Sequence, residues 1–215
     1  MEGIKLLSAS TEDIMSRMTL TNAELLNKYY DEGRDLIICG GHYSSWEFTT
    51  LAFEPRLKHQ TSAIYHQFKN KFFEKIMLDA RSKAGMLLVS RSQVREGFYN
   101  TITEPIAILF GTDQSPTIAK KVYWTTFLGQ ETAVAFGSEK FAKERNAVVI
   151  WADNEKLGRS KFEVSFKVLT DTPQDEAYGQ ITEMHVRALE EQILREPAYW
   201  LWTHKRWKRK RKAGE

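Results

Sequence analysis

The chain has 215 residues, of which 42% are hydrophobic and 27% are charged. These fractions are typical of a globular protein, and they exclude a disordered chain. The length is sufficient for a sizeable core in one large domain or two small ones. Cys39 is the one cysteine, which excludes an intrachain disulfide framework and indicates a reducing compartment. No spacing of cysteine or histidine is typical of a metal site, so we predict no bound metal.

The net charge of +3 is unevenly distributed. Residues 205–212 carry seven positive charges and no negative one, so the rest of the chain is net negative. Tryptophans 200, 202 and 207 are interleaved with these cations. Such a segment is suited to anionic lipid head groups or to nucleic acid phosphates. It could also be a solvated terminus, although indoles are seldom left in water.

Predicted helices and strands alternate along the chain. Residues 1–34 are predicted to be helical, with segments that begin near Thr11 and Asn22. Apolar runs predict strands at 36–39, 62–65, 86–89, 105–110, 147–151 and 161–169, and amphipathic runs predict helices at 46–54, 70–84, 93–101, 138–145 and 179–195. This pattern predicts an α/β fold: a single domain with a mostly parallel or mixed central sheet flanked by helices.

The stretch from Asp35 to Glu47 places a histidine at the end of a strand. Gly40 and Gly41 follow the apolar run and permit a tight turn or a close approach to substrate. His42 comes next, at the carboxyl edge of the sheet, where open α/β folds bind ligands. Glu47 is predicted to turn back to one ring nitrogen and to stabilise the imidazolium. The alternative is a histidine at a helix start with a solvated glutamate.

A second polar cluster follows the strand at 105–110. Asp113 and Gln114 are predicted to lie at the same edge as His42, where an acid could orient a substrate or hold an arginine, although the same residues also favour a plain turn. Arg81 and Arg91 flank the third predicted strand and offer guanidinium groups for a phosphate or an oxyanion. Of the two arginines, Arg91 is the better candidate, because Arg81 could simply be solvated at a helix end.

Two further regions leave alternatives open. Among the other histidines, His66 also follows a strand, and it is the competitor to His42. The segment from Tyr123 to Leu128 is predicted to be a loop rich in large side chains. It could line a groove for an acyl chain, or it could pack into the core.

Several motifs occur in an order that resembles one family. The order GGHYSSWE, then Arg81 to Gly85, ILFGTDQSP, YWTTFLGQETAVAFGSEKFAKERNAVVIW and YWLWTHKRWKRKR resembles the bacterial lipid A biosynthesis acyltransferases. These are the late lauroyl and myristoyl transferases of the lysophospholipid acyltransferase superfamily, and the likeness is to a Bacteroidetes-like member. The resemblance covers nearly the whole chain and implies a fold like that of glycerol-3-phosphate acyltransferase. It also implies an N-terminal helical segment at 1–34, as the remainder of a membrane-proximal region, and an acyltransferase domain at 35–215.

The resemblance implies an O-acyl transfer from the thioester of acyl carrier protein, or from acyl-CoA, to a hydroxyl of a lipid A precursor. His42 is then the general base and Glu47 its partner, since the family's histidine–acid motif falls on them. The family's later acid falls on Asp113, and its arginine region runs from Arg81 to Arg91. The other implied sites are oxyanion donors at Gly40 and Gly41, a substrate contact at Gln114, and membrane or phosphate contacts at Lys205, Arg206, Lys208 and Arg209.

The same resemblance implies partners and a location. The partners are acyl carrier protein, the lipid acceptor and an anionic membrane surface, with no bound cofactor and no nucleic acid. The location is the cytoplasmic face of the bacterial inner membrane, with a peripheral attachment. Two rival functions stay open: acylation of a lysophospholipid or an amino-acid lipid, and non-catalytic binding to an anionic surface.

Overall fold

A computed structural model describes residues 5–116 and 122–211. Within these residues, seven strands form one mixed sheet in the order β1-β9-β8-β2-β5-β3-β4, and two more form a separate antiparallel hairpin, β6-β7. The strands are β1 (Met18–Thr21), β2 (Leu36–Gly40), β3 (Gln60–Tyr65), β4 (Leu87–Ser90), β5 (Ile106–Gly111), β6 (Val122–Phe127), β7 (Gln130–Ala135), β8 (Val148–Gly158) and β9 (Lys161–Thr170). The sheet confirms the predicted fold class.

Helices pack around this sheet. They are α1 (Thr11–Arg17), α2 (Glu24–Asp31), α3 (Trp46–Phe53), α4 (Lys71–Ser82), α5 (Arg91–Arg95), α6 (Gly137–Arg145) and α7 (Gln180–Arg195), with 3-10 turns at Phe98–Thr101 and Pro197–Tyr199. In the described part of the chain, no helix combines the length and the hydrophobicity that are needed to cross a bilayer.

The strand β2 lies at the centre of the sheet. Its residues Leu36 to Cys39 are all buried, because helices cover both faces of the parallel part of the sheet. Strand β2 pairs in parallel with β5 on one side and with β8 on the other. Strands β5 and β3 are also parallel, so β2, β5 and β3 end at the same side of the molecule. We call this side the carboxyl edge.

Three local predictions are wrong. Residues 18–21 form the edge strand β1, which pairs with β9, whereas the whole stretch 1–34 was predicted to be helical. The predicted helix at 93–101 is divided into α5 and a 3-10 turn, because Gly97 adopts a left-handed φ of 87° between them. The predicted aromatic loop is strand β6, which hydrogen-bonds to β7.

Candidate active site

The imidazole of His42 is bound to the carboxylate of Asp113. The Nδ1 atom of His42 lies 2.6 Å from Oδ1 of Asp113, and the backbone N–H of His42 donates to Oδ2 at 3.0 Å. In the ladder between β2 and β5, Gly40 pairs with Gly111. Each site residue follows its glycine by two positions, so the parallel register brings the two side chains together.

Asp113 is almost fully buried, with 3% of its surface exposed. Its Oδ2 accepts a second hydrogen bond from Trp200 Nε1 at 2.9 Å. Burial acts to raise the pKa of Asp113, but the hydrogen bond and charge of His42, together with the donor from Trp200, outweigh it and hold that pKa below its usual value. An ionised carboxylate only accepts hydrogen bonds, so the ring proton of His42 lies on Nδ1.

The other ring nitrogen of His42 is the one that can accept a proton. Its Nε2 lies 3.3 Å from the amide nitrogen of Gln114, and the His42 side chain is 17% exposed. A substrate can therefore reach the ring. Gly111 leaves room for the imidazole ring, because a Cβ on Gly111 would lie 2.8 Å from Cε1 of His42.

The predicted contact between Glu47 and the His42 ring is wrong. Both carboxylate oxygens of Glu47 are bound by Arg81, from Nη2 at 2.6 Å and from Nε at 3.1 Å. Trp46 takes the side of α3 that faces the histidine, since the two rings pack edge to face with centroids 4.5 Å apart. Successive helical residues point about 100° apart around the axis, so Glu47 is directed towards α4 instead.

The Glu47–Arg81 pair nevertheless lies at the carboxyl edge, close to His42. The guanidinium of Arg81 lies over the Trp46 ring, 5.6 Å from its centroid, and Trp46 also contacts His42. The preference for Arg91 over Arg81 is not supported by these contacts, because Arg91 is an exposed residue at the start of α5. Arg81 is thus the arginine that the fold connects to the histidine.

One of the two glycines before His42 has a structural reason that the sequence did not reveal. Neither has a positive φ; in this loop the left-handed residue is Ser44, with a φ of 53°. Gly41 is needed for packing, because a Cβ there would lie 2.6 Å from Leu189 of α7. Ser45 takes the N-cap position of α3, but its side chain makes no capping hydrogen bond.

The basic C-terminal segment folds back over the site. The backbone N–H of Leu201 donates to the carbonyl of His42, and the backbone N–H of Ser115 donates to Nε2 of His204 at 3.0 Å. Arg206 is 3% exposed and donates to the carbonyl of Ala133, and burial lowers its pKa to about 10. The prediction that Arg206 contacts a membrane or a phosphate is therefore wrong.

The neighbouring cations of this segment differ from Arg206. Lys205 and Lys208 are exposed, whereas the guanidinium of Arg209 lies over the ring of Trp124. Trp207 is partly buried, and its Nε1 donates to Thr132 Oγ1 at 2.8 Å. Several tryptophan and arginine side chains of the segment thus contact the rest of the protein.

Comparison with known protein families settles the class of the protein. The model of the family described as bacterial lipid A biosynthesis acyltransferase matches residues 1–209. The chain belongs to that family. It is an acyltransferase, and its family acts on lipid substrates. No curated protein matches the sequence closely enough to count as a relative.

The geometry of the His42–Asp113 pair is suited to general base catalysis. A neutral imidazole with its proton fixed on Nδ1 presents a lone pair on an accessible Nε2, and a buried carboxylate stabilises the cation that forms when Nε2 takes a proton. His66 lacks such a partner among the described residues. It is exposed, and its Nδ1 lies 3.3 Å from the carbonyl of Gln67.

Sequence reasoning missed two residues of this site. Gly111 was quoted as part of a motif but was given no role, although a glycine before the Asp113 loop was a usable signal. Trp200 was grouped by composition with the basic C-terminal segment, as a candidate contact for lipid head groups or nucleic acid phosphates. Its contact with Asp113 joins residues 87 positions apart, so no local pattern could have indicated it.

The candidate groove for an acyl chain, Tyr123 to Leu128, contains one buried residue. Phe127 is 1% exposed, and its ring packs against those of Trp200 and Trp207. For Phe127 the structure therefore supports the core-packing alternative.

Proposed function

We propose that this acyltransferase moves a fatty acyl chain from acyl carrier protein to a hydroxyl group of a lipid A precursor, with His42 as the general base. The contact of 2.6 Å between His42 Nδ1 and Asp113 carries the proposal. Asp113 replaces Glu47 as the partner of the base. Acyl-CoA is the alternative donor, since it offers the same thioester.

The proposed reaction begins with proton transfer. The acceptor hydroxyl lies against His42 Nε2 in place of the Gln114 amide, and its proton passes to Nε2 while its oxygen attacks the thioester carbonyl carbon. Asp113 keeps its negative charge and stabilises the imidazolium. An unactivated hydroxyl is a weak nucleophile, so this step is where the histidine contributes most.

The second part of the reaction expels the thiol. The attack forms a tetrahedral oxyanion, for which we propose a donor from the backbone N–H group of Gly41. The intermediate collapses, the C–S bond breaks, and the imidazolium returns its proton to the departing sulfur. The products are the ester and the free thiol of the carrier, and no acyl-enzyme is formed.

Arg81 is proposed to bind an anionic group of a substrate. Its contacts with Glu47 fix the guanidinium through Nε and Nη2, which leaves the N–H groups of Nη1 as further donors. Arginine is suited to phosphate and carboxylate groups because its donors form a planar fork. Glu47 is then a residue that orients Arg81.

We propose that the reaction takes place at the cytoplasmic face of the bacterial inner membrane. The exposed apolar side chains support the membrane contact in this proposal, because several of them lie near the carboxyl edge that carries His42. Phe72 and Phe73, 76% and 46% exposed, begin the helix that follows β3. Leu157, 57% exposed, lies near the end of β8. Trp202, 52% exposed, lies beside the loop that carries His42. Exposed apolar groups of this kind mark membrane or protein contacts.

Vesicle binding tests the membrane location. The double substitution of Phe72 and Phe73 by serine is expected to reduce cosedimentation with vesicles that contain anionic lipid. Tyr178→Ser is the matched control, since Tyr178 is 71% exposed but contacts Tyr123 and Phe136 instead of the helix that carries Phe72 and Phe73. Equal binding by the double variant and the wild type would contradict the proposal for these two residues.

The test of the reaction is an acyl-transfer assay with acyl carrier protein as the donor. His42→Ala is expected to lower kcat by at least about 100-fold, whereas His66→Ala, which removes an exposed imidazole, is expected to have no effect. Full activity of the His42 variant would reject the histidine as the base. Parallel assays with a lysophospholipid and an amino-acid lipid decide between the acceptors.

A non-catalytic role in binding anionic surfaces is the rival function. It predicts salt-sensitive binding that depends on residues 205–215 and is indifferent to His42. The buried position of Arg206 and the packing of Trp207 count against it, because these side chains are not presented to a partner.

A further inference from the structure

The indole of Trp200 lies at the end of a row that contains Asp113 and His42. Its Nε1 donates to Oδ2 of Asp113 at 2.9 Å, while Oδ1 of the same carboxylate contacts His42 Nδ1. We propose that Trp200 is a positioning residue, which holds the carboxylate in the orientation that keeps the ring proton of His42 on Nδ1. The catalytic part of this inference rests on the proposed acyl transfer.

The indole donor matters because hydrogen bonds set the orientation of the carboxylate, and the indole supplies the only side-chain donor to Asp113 other than His42 among the described residues. The terminal torsion of an aspartate has broad energy minima, so hydrogen bonds set the angle of its two oxygens. At Asp113, Oδ2 accepts from the His42 backbone and from Trp200. Without the indole N–H, Oδ2 keeps one hydrogen-bond donor. Loss of a donor destabilises a buried carboxylate, so a rotation that gains another donor becomes favourable. Rotation of the carboxylate would release Nδ1 and allow the other tautomer.

Trp200 is itself held in register with the base. It forms an antiparallel bridge with Tyr43, and the next backbone N–H, that of Leu201, donates to the carbonyl of His42. The indole is 5% exposed and packs against Phe127 and Trp202. The segment that carries the indole is therefore tied to the loop that carries the imidazole.

The alternative is that Trp200 only fills space in the aromatic cluster that its ring forms with those of Phe127, Trp202 and Trp207. Trp207 allows the two roles to be separated, because its ring lies in the same cluster, 6.2 Å from that of Trp200. Its Nε1 donates to Thr132 Oγ1 rather than to Asp113. Trp200→Phe and Trp207→Phe therefore remove the same kind of donor and the same amount of ring from neighbouring positions.

The kinetic test compares these two variants. Trp200→Phe is expected to lower kcat about tenfold, the loss that corresponds to one hydrogen bond to a charged group, with KM within about twofold of wild type. Trp207→Phe is expected to keep kcat within about twofold. Equal losses in both variants, or wild-type kcat in the Trp200 variant, would overturn the inference.

The spectroscopic test needs no substrate. In ¹⁵N NMR spectra of histidine-labelled protein near neutral pH, His42 of the wild type is expected to show the Nδ1–H tautomer, and the Trp200 variant a mixture of both tautomers. An unchanged tautomer in the variant refutes the positioning role. If the tautomer shifts but wild-type protein transfers no acyl group, the proposed function fails and the positioning role stands.

A variant that retains the shape of the ring separates loss of the hydrogen bond from loss of packing. β-(3-benzothienyl)alanine at position 200 replaces the indole N–H by sulfur and leaves the packing almost unchanged. It is expected to reproduce the tautomer mixture while its thermal unfolding matches that of the wild type. A pure Nδ1–H tautomer in this protein would contradict the inference.

Discussion

Two carboxylates near His42 have different roles, and position in the sequence does not reveal which is which. Glu47 is five residues from the histidine, yet it binds Arg81 through both oxygens. Asp113 is 71 residues away, yet it holds the ring and the backbone of His42. The difference arises because a parallel ladder aligns the ends of β2 and β5, whereas the helical rotation of α3 turns Glu47 away.

The first way to test this comparison is to remove the charge of Asp113. Asp113→Asn is expected to lower kcat about a thousandfold, because an amide can present its N–H₂ to Nδ1 and so favour the wrong tautomer. Steady-state acyl transfer measures the loss. Thermal unfolding is the control, since a collapsed fold would also remove activity. A folded variant with wild-type kcat would show that Asp113 is not the partner of the base.

Gly111 should be the next most sensitive position. Gly111→Ala places a methyl group 2.8 Å from Cε1 of His42, so the ring must move, and displacement by about 1 Å costs roughly 100-fold in rate. The activity of this variant is compared with that of Gly137→Ala, whose new Cβ would meet Phe110 at an ordinary 3.5 Å. If the two variants were equally active, the space beside the imidazole would not be important.

Arg81 should affect substrate binding more than the chemical step. Arg81→Lys loses the two-point contact with Glu47, and we expect KM to rise about tenfold, as for the loss of a charged hydrogen bond. The kcat value should change little. Arg91→Lys serves as the control because Arg91 is exposed on α5. A larger rise of KM in the Arg91 variant would reverse the assignment of the two arginines.

His204 should give the smallest effect, on stability rather than on rate. Burial, then Lys208, lowers the pKa of His204, even though Asp113 opposes them. Below the ordinary pKa of about 6.5 the unfolded chain binds more protons than the folded one, so the free energy of unfolding must fall as the pH falls.

Chemical unfolding at pH 7.5 and at pH 5.5 measures this dependence. The buried His59 and His185, whose pKa values are also lowered by burial, contribute in the same direction. His204→Gln is therefore expected to reduce the loss of stability between the two pH values without abolishing it. An unchanged pH dependence in this variant would mean that His204 does not contribute.

The sequence allowed much of the fold to be predicted, for physical reasons. Strands such as β2 and β5 are buried on both faces, and their uninterrupted apolar runs identify them. The strand β1 escaped detection because it has only four residues and lies between two helices. Strand β6 was taken for a loop because its large aromatic side chains obscured the alternation that a hairpin strand normally shows.

The site was less predictable than the fold. His42 could be found because it follows an apolar strand and two glycines, a local pattern. Its partner could not, since the choice between Glu47 and Asp113 depends on strand register and on the direction of a helical side chain. The composition of the tail suggested an exposed basic segment, but burial of Arg206 and Trp200 depends on contacts with β7 and with the Asp113 loop.

The central claim is that His42 and Asp113 act as one unit, and a double-mutant cycle tests it most directly. The kcat values of His42→Ala, Asp113→Asn and the double variant are measured in one acyl-transfer assay. Residues that act together are strongly non-additive, so we predict that the double variant is no slower than His42→Ala. Losses that multiply in the double variant would contradict the claim, because each residue would then act without the other.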